Sequence, residues 1–462
     1  MFRRRKRSSV REGSVTLGVS VVPGSKNPFV VFPATMRPQH LGILGLSGSG
    51  KTHFIEHLIR QDIEQQIGFV VFDVHGDLAE HVTAFLAERG SFDSEVYART
   101  VIIEPFDPDR SFGFNPLEPT PNTSPFLQAQ EFAYILRRRW EEDHLGPRTQ
   151  ELLRNSLFTL SVSGETLLRL PKLLTQRRTR DKLVERLPDG EVKHFWTHRY
   201  NRLSANMQGV VREPLLTRIS AFVSDPLIRD ILGQKKSTFS FQEAMQKGLW
   251  VIVNLSQGRL GENSTILGSL LLTKLELEVM ARAHVPEKER KLFAVYVDEL
   301  QKLAGESFGR LIAEARKYQV SLVTGHQFWR QLEPYLQQAM LAVGSKAYFR
   351  LHYHDAADLA GELAVDEQPR YRRVLTLLER GEAVARIGAR RPVLFTVPAV
   401  RPGKPTPEEI ERLRAESARR YTTARSQIHQ PEKPKSDNAA VERGNQALNT
   451  ADLSDHASEK TN

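Results

Sequence analysis

The hydrophobic positions of the chain fall into two alternating textures. Short runs of apolar, often β-branched residues recur at Leu41–Leu44, Gly68–Asp73, Val101–Ile103, Leu249–Asn254, Lys291–Val297 and Val320–Thr324. Runs of this kind suit strands buried on both faces of a parallel sheet. Between them the spacing turns helical, as at Ile55, Leu58, Ile59 and Ile63 within Phe54–Gln66, and again over Leu78–Glu88, Ser264–Ala283, Phe308–Tyr318 and Gln331–Leu341. Strand alternating with helix predicts an α/β fold. Lys346–Leu351 and Val393–Val397 add strands, with the core ending near Pro398. Ahead of it, Ser14–Val21 and Phe29–Phe32 alternate and predict a small β layer leading into the core.

One region breaks the rhythm. From Pro121 to Lys236 strand patterns vanish, and helical ones cover Phe126–Trp140, Arg148–Ser161, Pro171–Leu187 and Asn206–Ser224. The expected organisation is a basic segment with the small β layer at 1–36, an α/β core in two parts at 37–120 and 237–400, and an all-helical domain inserted at 121–236. Residues 401–462 are expected to hold a charged amphipathic helix, Pro407–Arg425, and a polar, aromatic-poor tail that is disordered.

Composition narrows the picture further. No apolar run reaches membrane-spanning length, since Lys274 and Glu276 interrupt Ile266–Met280, and no secretory core follows the basic start Phe2–Arg7. The chain is therefore expected to lack an intrinsic membrane segment and to be cytoplasmic, with peripheral recruitment to the inner membrane left open. The absence of cysteine excludes disulfides and thiolate metal sites. A net charge of +10 and a pI near 9.6 favour a polyanionic partner. Residues 121–240 carry 20 Lys and Arg against 13 Asp and Glu. Within them, Arg137-Arg138-Arg139-Trp140, Arg177-Arg178-Thr179-Arg180 and Trp196–Tyr200 mix cations with aromatics, as a nucleic-acid face does. A solvated basic face is the other reading of each cluster.

The chemistry is carried by Gly45-Leu46-Ser47-Gly48-Ser49-Gly50-Lys51-Thr52, which fits the phosphate-loop pattern G-x-x-x-x-G-K-[ST] between a strand and a helix. Its glycines let backbone N–H groups close on phosphate oxygens, and the helix start adds partial positive charge. Gly45, Ser47, Gly48, Ser49, Gly50, Lys51, Thr52 and His53 are the expected nucleotide-binding residues, with ATP and Mg²⁺ as ligands. Lys51 would reach the β- and γ-phosphates and the Thr52 hydroxyl the metal. The apolar run to Val297 ends in Asp298-Glu299; Asp298 would hold Mg²⁺ and Glu299 would polarise the attacking water. Gln327, at the end of the following strand, would sense the γ-phosphate, and Arg350 lies near the same edge. Asp73 and His75 either flank the nucleotide or belong to a turn in which Asp77 caps the next helix.

These segments in this order resemble the DNA-pumping additional-strand ATPases. The nearest resemblance is to the conjugative coupling proteins of type IV secretion, with the HerA translocases as relatives. The residues that carry it are Gly45–Thr52, Phe72-Asp73-Val74-His75-Gly76-Asp77, Phe114–Leu117, Asp225–Gly233, Val297-Asp298-Glu299, Ala315-Arg316-Lys317-Tyr318 and His326-Gln327. Val74 stands where that family often has proline, His326 where a small hydroxyl residue is common, and the membrane helices usual in coupling proteins are absent from the sequence. The resemblance implies a RecA-like phosphate-loop core and a six-membered ring around double-stranded DNA. It also implies a neighbouring subunit's arginine at the γ-phosphate, Arg316 first and Arg350 second. The expected function is ATP-driven DNA translocation in conjugative transfer, recruited by a membrane-anchored secretion partner. Alternatives are a HerA-like motor processing DNA ends with a nuclease, a motor exporting protein, and a nucleotide-gated scaffold.

Overall fold

The computed structural model describes residues 12–21, 28–139, 145–305 and 307–429. The basic run Arg3–Arg7, Trp140 and the polar tail from 430 lie outside the described residues, as do the side chains of Arg138 and Arg139. The described residues up to Arg425 form one compact unit.

Thirteen strands are described: β1 (Val15–Ser20), β2 (Phe29–Phe32), β3 (Leu41–Leu44), β4 (Gly68–Asp73), β5 (Thr100–Ile103), β6 (Arg110–Ser111), β7 (Trp250–Asn254), β8 (Phe293–Val297), β9 (Val320–His326), β10 (Ser345–Tyr348), β11 (Glu382–Ile387), β12 (Val393–Thr396) and β13 (Thr423–Ala424). Eleven of them make one sheet in the order β2-β1-β12-β11-β10-β3-β9-β8-β4-β7-β5. From β10 to β5 all neighbours are parallel, whereas β10-β11, β11-β12, β12-β1 and β1-β2 are antiparallel. The parallel strands are buried along their whole length, both faces being covered, and most of their residues are apolar. In β4, Phe69 and Val71 enter one core with Phe54 and Leu58 of the helix Lys51–Glu64, while Val70 and Phe72 enter the other.

That second core runs without a break from the sheet into the helices of residues 125–232, through Phe132, Leu152, Trp196, Leu215 and Ile231. The expected small β layer, β1 and β2, is continuous with the main sheet and forms its antiparallel edge. The charged helix, Pro407–Tyr421, also belongs to the packed unit. Its Leu413 is buried, and the Ser417 hydroxyl accepts the Ile102 N–H at 2.7 Å.

Several expected boundaries shift. The helix over Pro171–Leu187 is two, Leu170–Thr175 and Arg177–Glu185, broken at Gln176 with ψ near 104°. Gln331–Leu341 starts as a helix only at Pro334, which disfavours helical backbone in the residue before it. The strand expected to run to Leu351 stops at Tyr348, so Arg350 follows it. A helical hairpin, Tyr353–Leu363 and Gln368–Leu377, and strand β11 fill the interval left unassigned by the hydrophobic pattern. Among the described residues no helix is long and apolar enough to cross a membrane.

Candidate functional site

The carboxyl ends of β3, β9 and β8 meet at the phosphate loop, the edge at which open α/β sheets bind ligands. Gly50 ends the loop at φ 109°, a left-handed conformation that a side chain would strain. Gly45 is required for a different reason: a Cβ there would lie 2.6 Å from Cβ of Phe349 and 2.8 Å from Oγ of Ser49. Ser47 and Gly48 form the exposed crown. The helix that starts at Lys51 has no side-chain cap, so its first N–H groups lack intrahelical acceptors and suit an anion.

The loop is held from below and beside. The Gly45 N–H donates to His326 O at 3.3 Å, and the Leu46 N–H to Arg350 O at 2.9 Å. The Gly381 N–H donates to Ser49 O at 2.9 Å. Ser49 Oγ is buried with no hydrogen-bond partner. Lys51 folds back, its Nζ donating to the carbonyls of Gly45 at 2.6 Å and Leu46 at 3.2 Å. Burial pushes its pKa below the ordinary lysine value, opposed by the charges of Asp298 and Glu299.

The two carboxylates expected at the end of β8 stand opposite the loop. Thr52 Oγ1 donates to Asp298 Oδ2 at 3.2 Å. Burial, with the neighbouring charges of Glu299 and Asp73, pushes the Asp298 carboxyl up to about 6 despite Lys51 and Thr52. Glu299 is buried and adopts φ 56°, ψ 54°, a left-handed conformation costly for a long side chain and found where surroundings enforce it. Gln327 Nε2 donates to its Oε1 at 2.6 Å, Gln301 Nε2 donates to its Oε2, and His75 Nε2 lies 3.9 Å from Oε1. Gln301 was not legible as a site residue, although it sits two positions after Glu299.

Not every expected residue joins this group. His53 turns away: its Nε2 accepts the Val400 N–H at 3.2 Å, against Pro398 O. Arg316 is exposed on the turn before β9, at the opposite end of a seven-residue strand, about 20 Å from its own loop. Arg350 is exposed and lies beside the loop of its own chain. Asp73, and not Asp77, caps the helix Asp77–Gly90, its carboxylate accepting the N–H groups of His75 and Ala79 at 2.9 Å. Trp196 and Tyr200, the aromatics of the third basic cluster, are core rather than stacking platforms. Trp196 Nε1 donates to Thr159 Oγ1 at 2.8 Å, and Tyr200 is buried beside it. Arg180 is buried too, donating to Asn201 and to the carbonyls of Leu173 and Leu174. Arg177 and Arg178 are exposed.

The residues fit a magnesium nucleotide. Asp298 holds a charge that burial disfavours and that a divalent cation would compensate, Thr52 is hydrogen-bonded to it, and Ser49 keeps an unused hydroxyl under the loop. No cluster of three or more His, Cys, Asp or Glu suited to a metal occurs among the described residues. The remaining ligands would therefore be phosphate oxygens and water, as Mg²⁺ prefers.

The family model of the type IV secretion-system coupling protein DNA-binding domain matches residues 26–347. Among solved structures, the unbound bacterial conjugative coupling protein TrwBΔN70 is similar, with a TM-score of 0.60 and 16% identity over 86% of this chain and 92% of that one. TrwB bound to the non-hydrolysable ATP analogue ADPNP gives 0.59 and 18% over 81% and 89%. VirB4 of Thermoanaerobacter pseudethanolicus gives 0.55 and 16% over 87% and 100%. No curated protein matches the sequence.

Proposed function

The chain belongs to the type IV secretion-system coupling protein family, and we propose that it is an ATP-hydrolysing ring, six-membered, that moves double-stranded DNA in conjugative transfer. The observation that carries the proposal is the Glu299 carboxylate, buried one residue after the Thr52-bonded Asp298 and bridged to Gln327 at 2.6 Å. A binding-only switch has no use for a second, oriented carboxylate at this place.

Bound Mg²⁺ would neutralise phosphate charge, held by Thr52 and Asp298. Lys51 leaves the loop carbonyls for the β- and γ-phosphate oxygens, and Ser49 finds in the same ligand the partner it lacks. Glu299 accepts a hydrogen bond from the attacking water and polarises it, and Gln327 ties that carboxylate to the γ-phosphate end of the site. Arg316 cannot reach its own site and serves the neighbour's. Duplex DNA is met by the exposed cations of the helical region, Arg177 and Arg178 among them, through sequence-independent phosphate contacts. A membrane-anchored secretion partner recruits the ring.

The test is the steady-state ATPase rate of the assembled protein with and without linear duplex DNA, at low and moderate salt, beside Glu299→Gln. Stimulation that fades with salt, and a loss of roughly 100-fold or more in the variant with ATP binding intact, are expected. A DNA-indifferent rate refutes the DNA motor and favours protein export. An assembled ring that does not hydrolyse ATP refutes the ATPase and leaves a scaffold.

A further inference from the structure

The Glu299 carboxylate is held more firmly than polarising a water requires. Gln327 donates to its Oε1 and Gln301 to its Oε2, so both oxygens already accept an amide hydrogen. A hydrogen bond donated to a carboxylate stabilises the charged form and opposes its taking a proton from water. Gln327 follows β9, beside the phosphate loop, and can serve the reaction from there. Gln301 has no such place. It is half-buried on the short helix Leu300–Leu303, which starts from the left-handed Glu299 itself. Its amide oxygen is buried with no hydrogen-bond partner, which disfavours the position the side chain is in. One charge-assisted bond thus holds Gln301 against a cost. Turning the side chain outward would give its oxygen to solvent and Glu299 Oε2 to water.

The same short helix is where the site meets the helical region. Leu300 and Leu303 are buried in the core that both share. Two residues further, a Cβ on Gly305 would lie 2.6 Å from Cδ1 of Ile135, so the backbone there rests directly on the helix Pro125–Arg139. Arg310, on the helix Ser307–Glu314, is ion-paired with Glu131 of that same helix. A shift of Pro125–Arg139 is therefore carried to residues 303–310 by packing and by charge, and the four-residue helix that bears Gln301 lies at the end of that path.

We propose that Gln301 is a positioning residue that restrains Glu299, and that duplex DNA on the helical region releases the carboxylate by shifting the helix Leu300–Leu303. Without duplex, Gln301 occupies Oε2 and turnover is slow. With duplex, Gln301 turns away, Oε2 faces the attacking water, and Gln327 alone keeps the carboxylate aligned. This deepens the proposed function and takes from it the ATPase reaction and the DNA stimulus.

Two variants of the full chain test this. Gln301→Met keeps the length of the side chain and removes its donor, and Gln301→Asn keeps the amide but falls one methylene short of the carboxylate. Steady-state ATPase rates are measured for both and for wild type over a range of ATP, with and without saturating linear duplex. Each variant should raise the DNA-free kcat about threefold or more, at unchanged KM and fluorescent-nucleotide affinity. Each should reach the wild-type rate with duplex, so that the stimulation ratio shrinks. Damage to the fold lowers a rate, so a gain separates restraint from structural support. DNA-free rates that stay level or fall in both variants overturn the restraint. A gain that leaves the stimulation ratio at its wild-type value overturns the release by DNA. A wild type that hydrolyses ATP but ignores duplex refutes the DNA motor, and the DNA-free rates still decide the restraint. No turnover in any of these proteins refutes the proposed activity and the restraint together.

Discussion

Asp298→Asn should make the nucleotide-free protein more stable at alkaline pH. A carboxyl carried from its ordinary 3.8 to about 6 holds its charge at pH 8 at a cost of roughly 3 kcal/mol, set first by burial and then by Glu299 and Asp73. Asparagine removes that cost. Its single oxygen can accept from Thr52 or from the Glu299 N–H, but not from both, so one hydrogen bond worth about 1 kcal/mol is lost. The net gain of roughly 2 kcal/mol corresponds to a Tm about 2 °C higher for a unit of this size. The folded pKa lies above the unfolded one, so the native state binds the extra proton between them. Wild type therefore loses stability as pH rises from 3.8 to about 6, and the loss is complete above that window. At pH 5 roughly half of the cost is already gone, and the advantage of asparagine should shrink below about 1 kcal/mol. Thermal melts of both proteins at pH 8 and pH 5 in chelator decide the matter. A variant less stable than wild type at pH 8, or offset equally at both values, refutes the assignment of a disfavoured charge to this carboxylate. With magnesium nucleotide added, the order should reverse, wild type gaining the larger rise.

Ser49→Ala should leave the nucleotide-free protein as stable or up to about 1 kcal/mol more so, since the hydroxyl is buried without a partner, and should weaken nucleotide binding in a fluorescence titration. Arg316→Ala should abolish turnover of the assembled protein while leaving nucleotide binding by monomers unchanged. Mixing it with Glu299→Gln subunits should restore part of the rate, because each supplies what the other lacks. Arg177→Ala/Arg178→Ala should weaken duplex binding and flatten its salt dependence without changing Tm. Arg180→Ala should instead cost the roughly 1–3 kcal/mol of stability that an uncompensated set of buried acceptors costs, read as a lower Tm.

What the sequence declares well is what the chain does with its neighbours in sequence. The phosphate loop, its strand and its helix are contiguous, and the Asp298-Glu299 pair follows a run whose burial on both faces shows in its composition. Residues whose role depends on distant chain were harder to read. Whether a cation such as Arg180 meets solvent or carbonyls is decided by where Leu173, Leu174 and Asn201 fold, not by its flanking arginines. Trp196 and Tyr200 likewise follow the general rule that large rings are buried, whatever cations adjoin them. Strand β11 alternates Glu382 and Arg386 with small apolar residues, too weak a pattern to stand out without its partners β10 and β12. The capping role fell to Asp73 rather than Asp77 because Gly76 turns left-handed and presents the helix start to the strand end.

The sheet also sets an order in time. Strand β1 is bonded on one side to β2, close by in sequence, and on the other to β12, with Val19 opposite Thr396. On a ribosome adding about 5–20 residues per second, that second edge waits on the order of tens of seconds for its partner. During the wait, the β1–β2 ribbon offers open backbone groups beside Leu17 and Val19, the kind of edge other chains add to. A nascent chain of this protein therefore keeps this edge open to strand exchange with its neighbours on a polysome until residues 393–396 emerge.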